Sequence, residues 1–167
     1  MTVNSIRWSL SVQNEIVETV KKYLSENKAE AVVVASQGGK SALKMAEEVG
    51  KESKIVAVSE FSYSENVNKS LKKAKVTVIE NANLPIQDVR EMRETLMMFG
   101  PGIKAALEVA SIAASKKLVE GSYVAVAGGG KGLDTAIVVN TTHPEAEAIS
   151  EPLKHLKVEK IIASPLI

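Results

Sequence analysis

Six consecutive residues, Ser36-Gln-Gly-Gly-Lys-Ser41, bring two glycines, two hydroxyls and one ammonium directly after the β-branched run Ala31-Val-Val-Val-Ala35. A strand that passes through a glycine turn into a helix points the unpaired N–H groups of the first helical turn, and the positive end of the helix dipole, at the connecting loop. Ser36 and Ser41 add hydroxyl donors and Lys40 a full charge, so Ser36, Gln37, Gly38, Gly39, Lys40 and Ser41 form a candidate phosphate-binding loop. Gly39-Lys40-Ser41 imitates the end of a Walker A loop. The glycine which that motif requires five positions earlier is Val34, inside the strand, so a nucleoside-triphosphatase reading fails. The alternative is that the two glycines only let a strand turn into a helix.

A second glycine segment, Gly128-Gly-Gly-Lys-Gly132, lies between the runs Tyr123–Ala127 and Thr135–Asn140. Leu133 stands where the Rossmann pattern needs its third glycine, and no helix begins there. So short a link between two strands predicts an antiparallel hairpin, because a parallel crossover needs a dozen or more residues. Three consecutive glycines also expose backbone N–H groups, which makes Gly128, Gly129, Gly130, Lys131 and Asp134 candidate ligand contacts. His143, in Thr141-Thr-His-Pro144, reads as a surface or capping residue rather than a catalytic one. No paired carboxylates or serine elbow stand out, so catalytic residues are unassigned and a binding site is more legible than a reaction.

These loops need elements to hold them. Short β-branched runs at 31–36, 54–59, 76–79, 123–127, 135–140 and 158–163 alternate with amphipathic stretches, and most are continuously apolar, as strands covered on both faces by helices are. Helices are predicted around Asn14 to Asn27, from Gly39 to Val49, from Val67 to Lys73, from about Pro85 to the breaker Phe99-Gly-Pro-Gly102, and from Ile103 to about Leu118. The last is rich in small residues at Ala106, Ala110, Ala113 and Ala114, which suits a helix buried against the sheet, a subunit contact being the alternative. Met97-Met98-Phe99 reads as core filler.

The 167 residues, 45% hydrophobic and 25% charged, suit one globular domain spanning 1–167, with no Pro/Gly/Ser-rich linker or long repeat to divide it. With 21 basic against 20 acidic residues, the net charge of +1 provides no field for a polyanion, so nucleic acid is not an expected partner. The absence of cysteine removes disulfides, thiolate metal sites and thiol nucleophiles, and two histidines are too few for a histidine-rich metal site, so no metal is expected. The amino-terminal segment lacks the pattern of a secretory signal and no apolar run approaches a membrane span, so a cytoplasmic location without membrane association is expected.

At Ser36-Gln-Gly-Gly-Lys-Ser-Ala42 the chain resembles the C-terminal α/β domain of pyruvate kinase, whose loop after the first strand holds a sugar-phosphate effector. From Phe99-Gly-Pro-Gly-Ile-Lys104 through Val124–Gly129, Gly132–Val139 and Lys160–Pro165 it is similar to the stand-alone archaeal and bacterial proteins of that fold. The resemblance implies a three-layer α/β/α sandwich with a mostly parallel sheet of order 3-2-1-4-5, the fifth strand antiparallel, and a phosphorylated ligand. Flavin mononucleotide (FMN) is the implied cofactor, since some members bind it. Ser36, Gly39, Lys40 and Ser41 fall on the effector-phosphate loop, and Gly128, Gly129 and Asp134 on the second glycine segment. Gly38 stands where the pyruvate kinase loop carries a hydroxyl residue. One α/β domain leaves no room for the (β/α)₈ barrel of about 250 residues, so pyruvate kinase activity is not expected. A flavin ring would need an apolar wall, for which Trp8, Phe61 and Tyr63 are chemically suited. Alternatives are a flavin-dependent or phosphate-ester enzyme using Lys40, Asp134 and His143, and a regulatory or assembly module self-associating through Ala106–Ala114.

Overall fold

The computed structural model describes residues 3–142 and 156–165; within its first helix, side chains are described for Val12 and from Asn14 onward. In chain order the elements are α1 (Val3–Glu26), β1 (Ala31–Ala35), α2 (Lys40–Val49), β2 (Lys54–Val58), α3 (Glu65–Lys73), β3 (Thr77–Ile79), α4 (Arg90–Met97), α5 (Pro101–Ser115), β4 (Ser122–Ala127), β5 (Thr135–Asn140) and β6 (Lys157–Ala163). They form one sheet of order β3-β2-β1-β4-β5-β6. β1 pairs in parallel with β2 and β4, and β2 in parallel with β3. β5 is antiparallel to β4 with Ala127 opposite Thr135, as the short glycine link predicts, and β6 continues the antiparallel pairing at the edge.

Side-chain alternation along the strands sorts the chain into two cores. Val32 and Val34 join Ile16, Val17 and Val20 of α1, Met45 and Val49 of α2 and Leu71 of α3 on one face. Ala31 and Val33 join Ile103, Ala106, Leu107 and Ala110 of α5 on the other. The continuous apolar runs of β1 and β4 follow from this double burial: Val32, Val33, Val124 and Ala125 are all fully buried. The small residues of α5 bring its backbone close enough for the buried Tyr123 hydroxyl to donate to the Ala110 carbonyl at 2.7 Å. Burial pushes the Tyr123 phenol well above its ordinary pKa, so it remains a donor. Ala106, Ala110 and Ala113 are therefore occupied within the chain's own core.

Four sequence expectations need correction. The first helix begins at Val3 rather than near Asn14. The helix expected from Pro85 begins at Arg90, because residues 85–88 form a turn held by a carboxylate from another helix. Met97, Met98 and Phe99 are not core filler. They are 47%, 81% and 52% exposed, because α4 buries no residue completely and meets the core only through half-buried side chains such as Met92 and Leu96. Lastly, the sheet extends the expected order 3-2-1-4-5 by a sixth strand, β6, which forms its edge and is mostly exposed. Among the described residues, no helix is long and apolar enough to cross a membrane.

The carboxylate that holds the 85–88 turn is Glu108, in the middle of α5 and 2% exposed. Its Oε1 accepts the Gln87 N–H at 2.6 Å, and its Oε2 lies 3.3 Å from Lys104 Nζ one helical turn earlier. Burial raises the Glu108 pKa above the ordinary 4.5, against the opposing pull of Lys104 and the Gln87 amide. A carboxyl with a raised folded-state pKa holds its proton more tightly in the folded chain, so its contribution to stability is full below pH 4.5 and is lost as pH rises through the folded value. Urea unfolding over a pH series should show this decline in the wild-type chain and lack it in Glu108→Gln, which has no proton to release. Glu108→Ala leaves the Gln87 amide and the Lys104 ammonium without their shared acceptor and should cost about 2–4 kcal/mol at neutral pH.

Candidate functional site

β1 and β4 run side by side in the register Val34↔Val126, so the loops that follow them leave the sheet at the same edge. The strand order reverses between them, with β2 and β3 to one side and β5 and β6 to the other. In open α/β sheets such a reversal leaves a crevice outside the carboxyl ends of the strands, where ligands bind. Both glycine segments singled out in the sequence lie at this edge.

The first loop is shaped by contacts within the chain. Gly39 is the residue before α2 and has φ +84°, and a Cβ there would come within 2.5 Å of Val67 Cγ1, so only glycine lets α2 start against α3. The buried Ser36 accepts the Ala42 N–H on its Oγ at 3.2 Å, which satisfies the third amide of α2. The Tyr63 hydroxyl donates to the Ser36 carbonyl, and burial raises that phenol to about 12, which keeps it protonated. Gln37 is committed at both ends of its amide. Its Oε1 accepts from Ser59 Oγ at 3.0 Å and from the Glu60 N–H at 2.9 Å, while its Nε2 donates to Glu60 Oε2 at 2.8 Å.

Three of the six loop residues, Gly38, Lys40 and Ser41, remain for a ligand, since Gly39 is buried against α3. Gly38 is exposed, with open space where a side chain would project, and Lys40 is exposed on the first turn of α2. No side chain caps α2 at Gly39, and among the described residues the Lys40 and Ser41 amides have no acceptor. The result is an open helix N-terminus with an ammonium and the Ser41 hydroxyl beside it, which suits an anion. Glu60 sets a limit, since its carboxylate occupies the Gln37 side of the loop and leaves the Lys40 side for negative charge.

The second glycine segment forms the β4–β5 hairpin, closed by the Asp134 N–H donating to the Ala127 carbonyl at 3.0 Å. A Cβ on Gly128 would lie 1.6 Å from the Gly132 carbonyl oxygen, so the two limbs of the loop meet backbone to backbone. Gly129 lies against Pro101 at the start of α5. Gly129, Gly130 and Lys131 are exposed. Asp134 turns toward α5: its Oδ1 accepts the Thr135 hydroxyl at 2.7 Å and would be 2.6 Å from a Cβ on Gly102. The second helix N-terminus at this edge thus already has a carboxylate beside it.

The two segments share an edge but not a cavity. Lys131 and Asp134 line a cavity of about 580 Å³ between α1 and β6, and Ser36–Ser41 do not. Of the three aromatic candidates, Phe61 is 63% exposed in the loop after β2, Tyr63 is buried and bonded to Ser36, and the Trp8 side chain lies outside the described residues. His143 also lies outside them. Sequence reasoning missed Ser59 and Tyr63 as the groups that position the first loop, because their partners are 22 and 27 residues away and no local pattern marks them. Among the described residues, no cluster of three His, Asp or Glu side chains is placed to hold a metal ion.

The glycines of the two loops should respond differently to alanine. Gly128→Ala forces the hairpin limbs apart and should lower stability by about 1–3 kcal/mol, whereas Gly38→Ala enters open space and should stay within about 0.5 kcal/mol of wild type. Thermal and urea unfolding of the two variants would measure the contrast.

Compared with models of known protein families and with curated proteins, the chain matches none.

Proposed function

We propose that this chain binds a phosphorylated small molecule, FMN foremost, with its phosphate on the Lys40–Ser41 start of α2 at the carboxyl edge of the sheet. The observation that carries the reading is the open N-terminus of α2: amides without acceptors among the described residues, an exposed lysine and an adjacent hydroxyl, at the reversal of strand order. Exposed Phe61, in the neighbouring loop after β2, offers a flat apolar surface for a ring carried by the same ligand. Ser36, Gln37 and Gly39 serve as braces of the loop, while Gly38, Lys40 and Ser41 face the ligand.

A binding role is better supported than turnover. Of the polar groups a phosphate-ester or flavin-dependent enzyme would draw on, Lys40 is the phosphate partner and Asp134 is engaged with Thr135 beside α5. A self-associating module built on Ala106–Ala114 has little support, because the stripe is taken up by the chain's own sheet.

Titration of FMN and riboflavin, which differ by the phosphate, into wild type and Lys40→Ala tests the reading. The variant should bind FMN roughly ten- to a hundredfold more weakly, the worth of one charge-assisted hydrogen bond, and riboflavin almost as wild type does. Folding stability should change by no more than about 0.5 kcal/mol, because Lys40 is exposed and has no ion-pair partner among the described residues. Equal losses for the two flavins, or no loss for either, would remove the phosphate from this loop.

A further inference from the structure

The cavity of about 580 Å³ lies between α1, the β4–β5 hairpin and the end of β6, and its volume is that of a site for one ring-sized organic molecule. Ile16 of α1, Leu133 of the hairpin and Ile162 of β6 give it apolar walls, and among the described residues Glu15, Lys131 and Asp134 are the ionisable ones on its lining. It is separate from the anion loop. Asn14 and Lys21, which hydrogen-bond Lys44 and Glu48 of α2, lie on the side of α1 that faces α2. Glu15 and Ile16 face the cavity, so the helix stands between the two places.

The charge left without an ion-pair partner at this cavity, that of Glu15, has the opposite sense to that at the α2 loop. Asp134 is turned away to Thr135 and α5 and Lys131 makes an interaction of its own, whereas Glu15 has no ion-pair partner among the described residues. A phosphate or carboxylate beside Glu15 would meet repulsion, whereas a cation would meet attraction. We propose that this cavity is a second binding site, for a small organic cation with an apolar body, an aromatic or branched aliphatic amine whose ammonium faces Glu15 and whose body lies between Ile16, Leu133 and Ile162.

Phenethylamine and 3-phenylpropionate carry the same ring on the same two-carbon arm with opposite charges, and each can be titrated into the full chain by NMR. The amine should bind at least about tenfold more tightly than the acid, with amide shifts concentrated at Gly132–Asp134 and at the end of β6. Glu15→Gln, an exposed position where folding should be undisturbed, should remove most of that preference, by roughly tenfold. Ile162→Trp, which fills the cavity, should abolish binding of both compounds, with circular dichroism reporting whether the variant is folded. If it is not folded, the Glu15→Gln result and the shift map decide. Lys40→Ala should leave amine binding unchanged. The proposal is overturned if neither compound binds at about 10 mM, if the acid binds as well as the amine, if Glu15→Gln leaves the preference intact, or if the shifts centre on residues 38–41.

Discussion

The parallel pairing of β1 with β4 is the constraint on which the rest of the chain depends. Its partners, Val32 with Val124 through Val34 with Val126, are brought together only after the intervening chain has built β2 and β3 to one side and returned through α5. Closing so long a loop carries an entropic cost that the contact itself must offset. The residues that meet are well suited to do so, since the central positions of both strands are fully buried and each face is covered by a different set of helices. Burial on this scale stabilises by about 1.5–3 kcal/mol for each fully covered valine or leucine side chain. The same pairing sets the two glycine loops at one edge, so that edge is a consequence of the core.

Two helices begin at that edge, and the chain treats their N-termini differently. The start of α5 has the Asp134 carboxylate against Gly102, an internal anion placed where the helix dipole favours one. The start of α2 has no such group: Ser36 reaches the third amide and the first two are left without an acceptor among the described residues. Hydrogen bonds that could have closed this gap are directed elsewhere, Gln37 to the loop after β2 and Tyr63 to the Ser36 carbonyl. The loop is therefore stiffened from behind while its donors stay open, which lowers the ordering cost of binding at that spot. This contrast between two similar helix starts is what makes α2, rather than α5, the candidate anion site.

Much of the fold was legible because its signals are local. β-branched runs marked the strands, the short glycine link required β5 to return antiparallel, and Gly39 and Gly100 punctuated the helix starts. The failures share a cause: each depends on a partner distant in sequence. Pro85 has the signature of a helix start, but Glu108, 21 residues beyond Gln87, holds that segment as a turn. Met97–Phe99 looked like core because apolar composition says nothing about whether a neighbouring element reaches it. At the site, residue type identified the donors, but only the fold could show that Gln37 is engaged by Ser59 and Glu60 and that Asp134 faces α5.

The cavity beside α1 has its origin in an irregularity of β6 that residue types alone would not disclose. Ala136 pairs with Ala163 and Ile137 with Ile161, so Ile162 is an extra residue on the β6 side of the ladder. In an unbroken strand, neighbours point to opposite faces; across this bulge Ile162 and Ala163 both pack against the α1 side of the sheet. A second register shift, between Val138 and Val139, bends the strand again near Glu159. Bulges with Lys157, Glu159 and Lys160 also make this edge a poor template for pairing with another strand. One device therefore has two effects: it blunts the sheet edge, and it sets two consecutive apolar side chains over α1, where they form a wall of the cavity with Glu15 and Ile16 opposite.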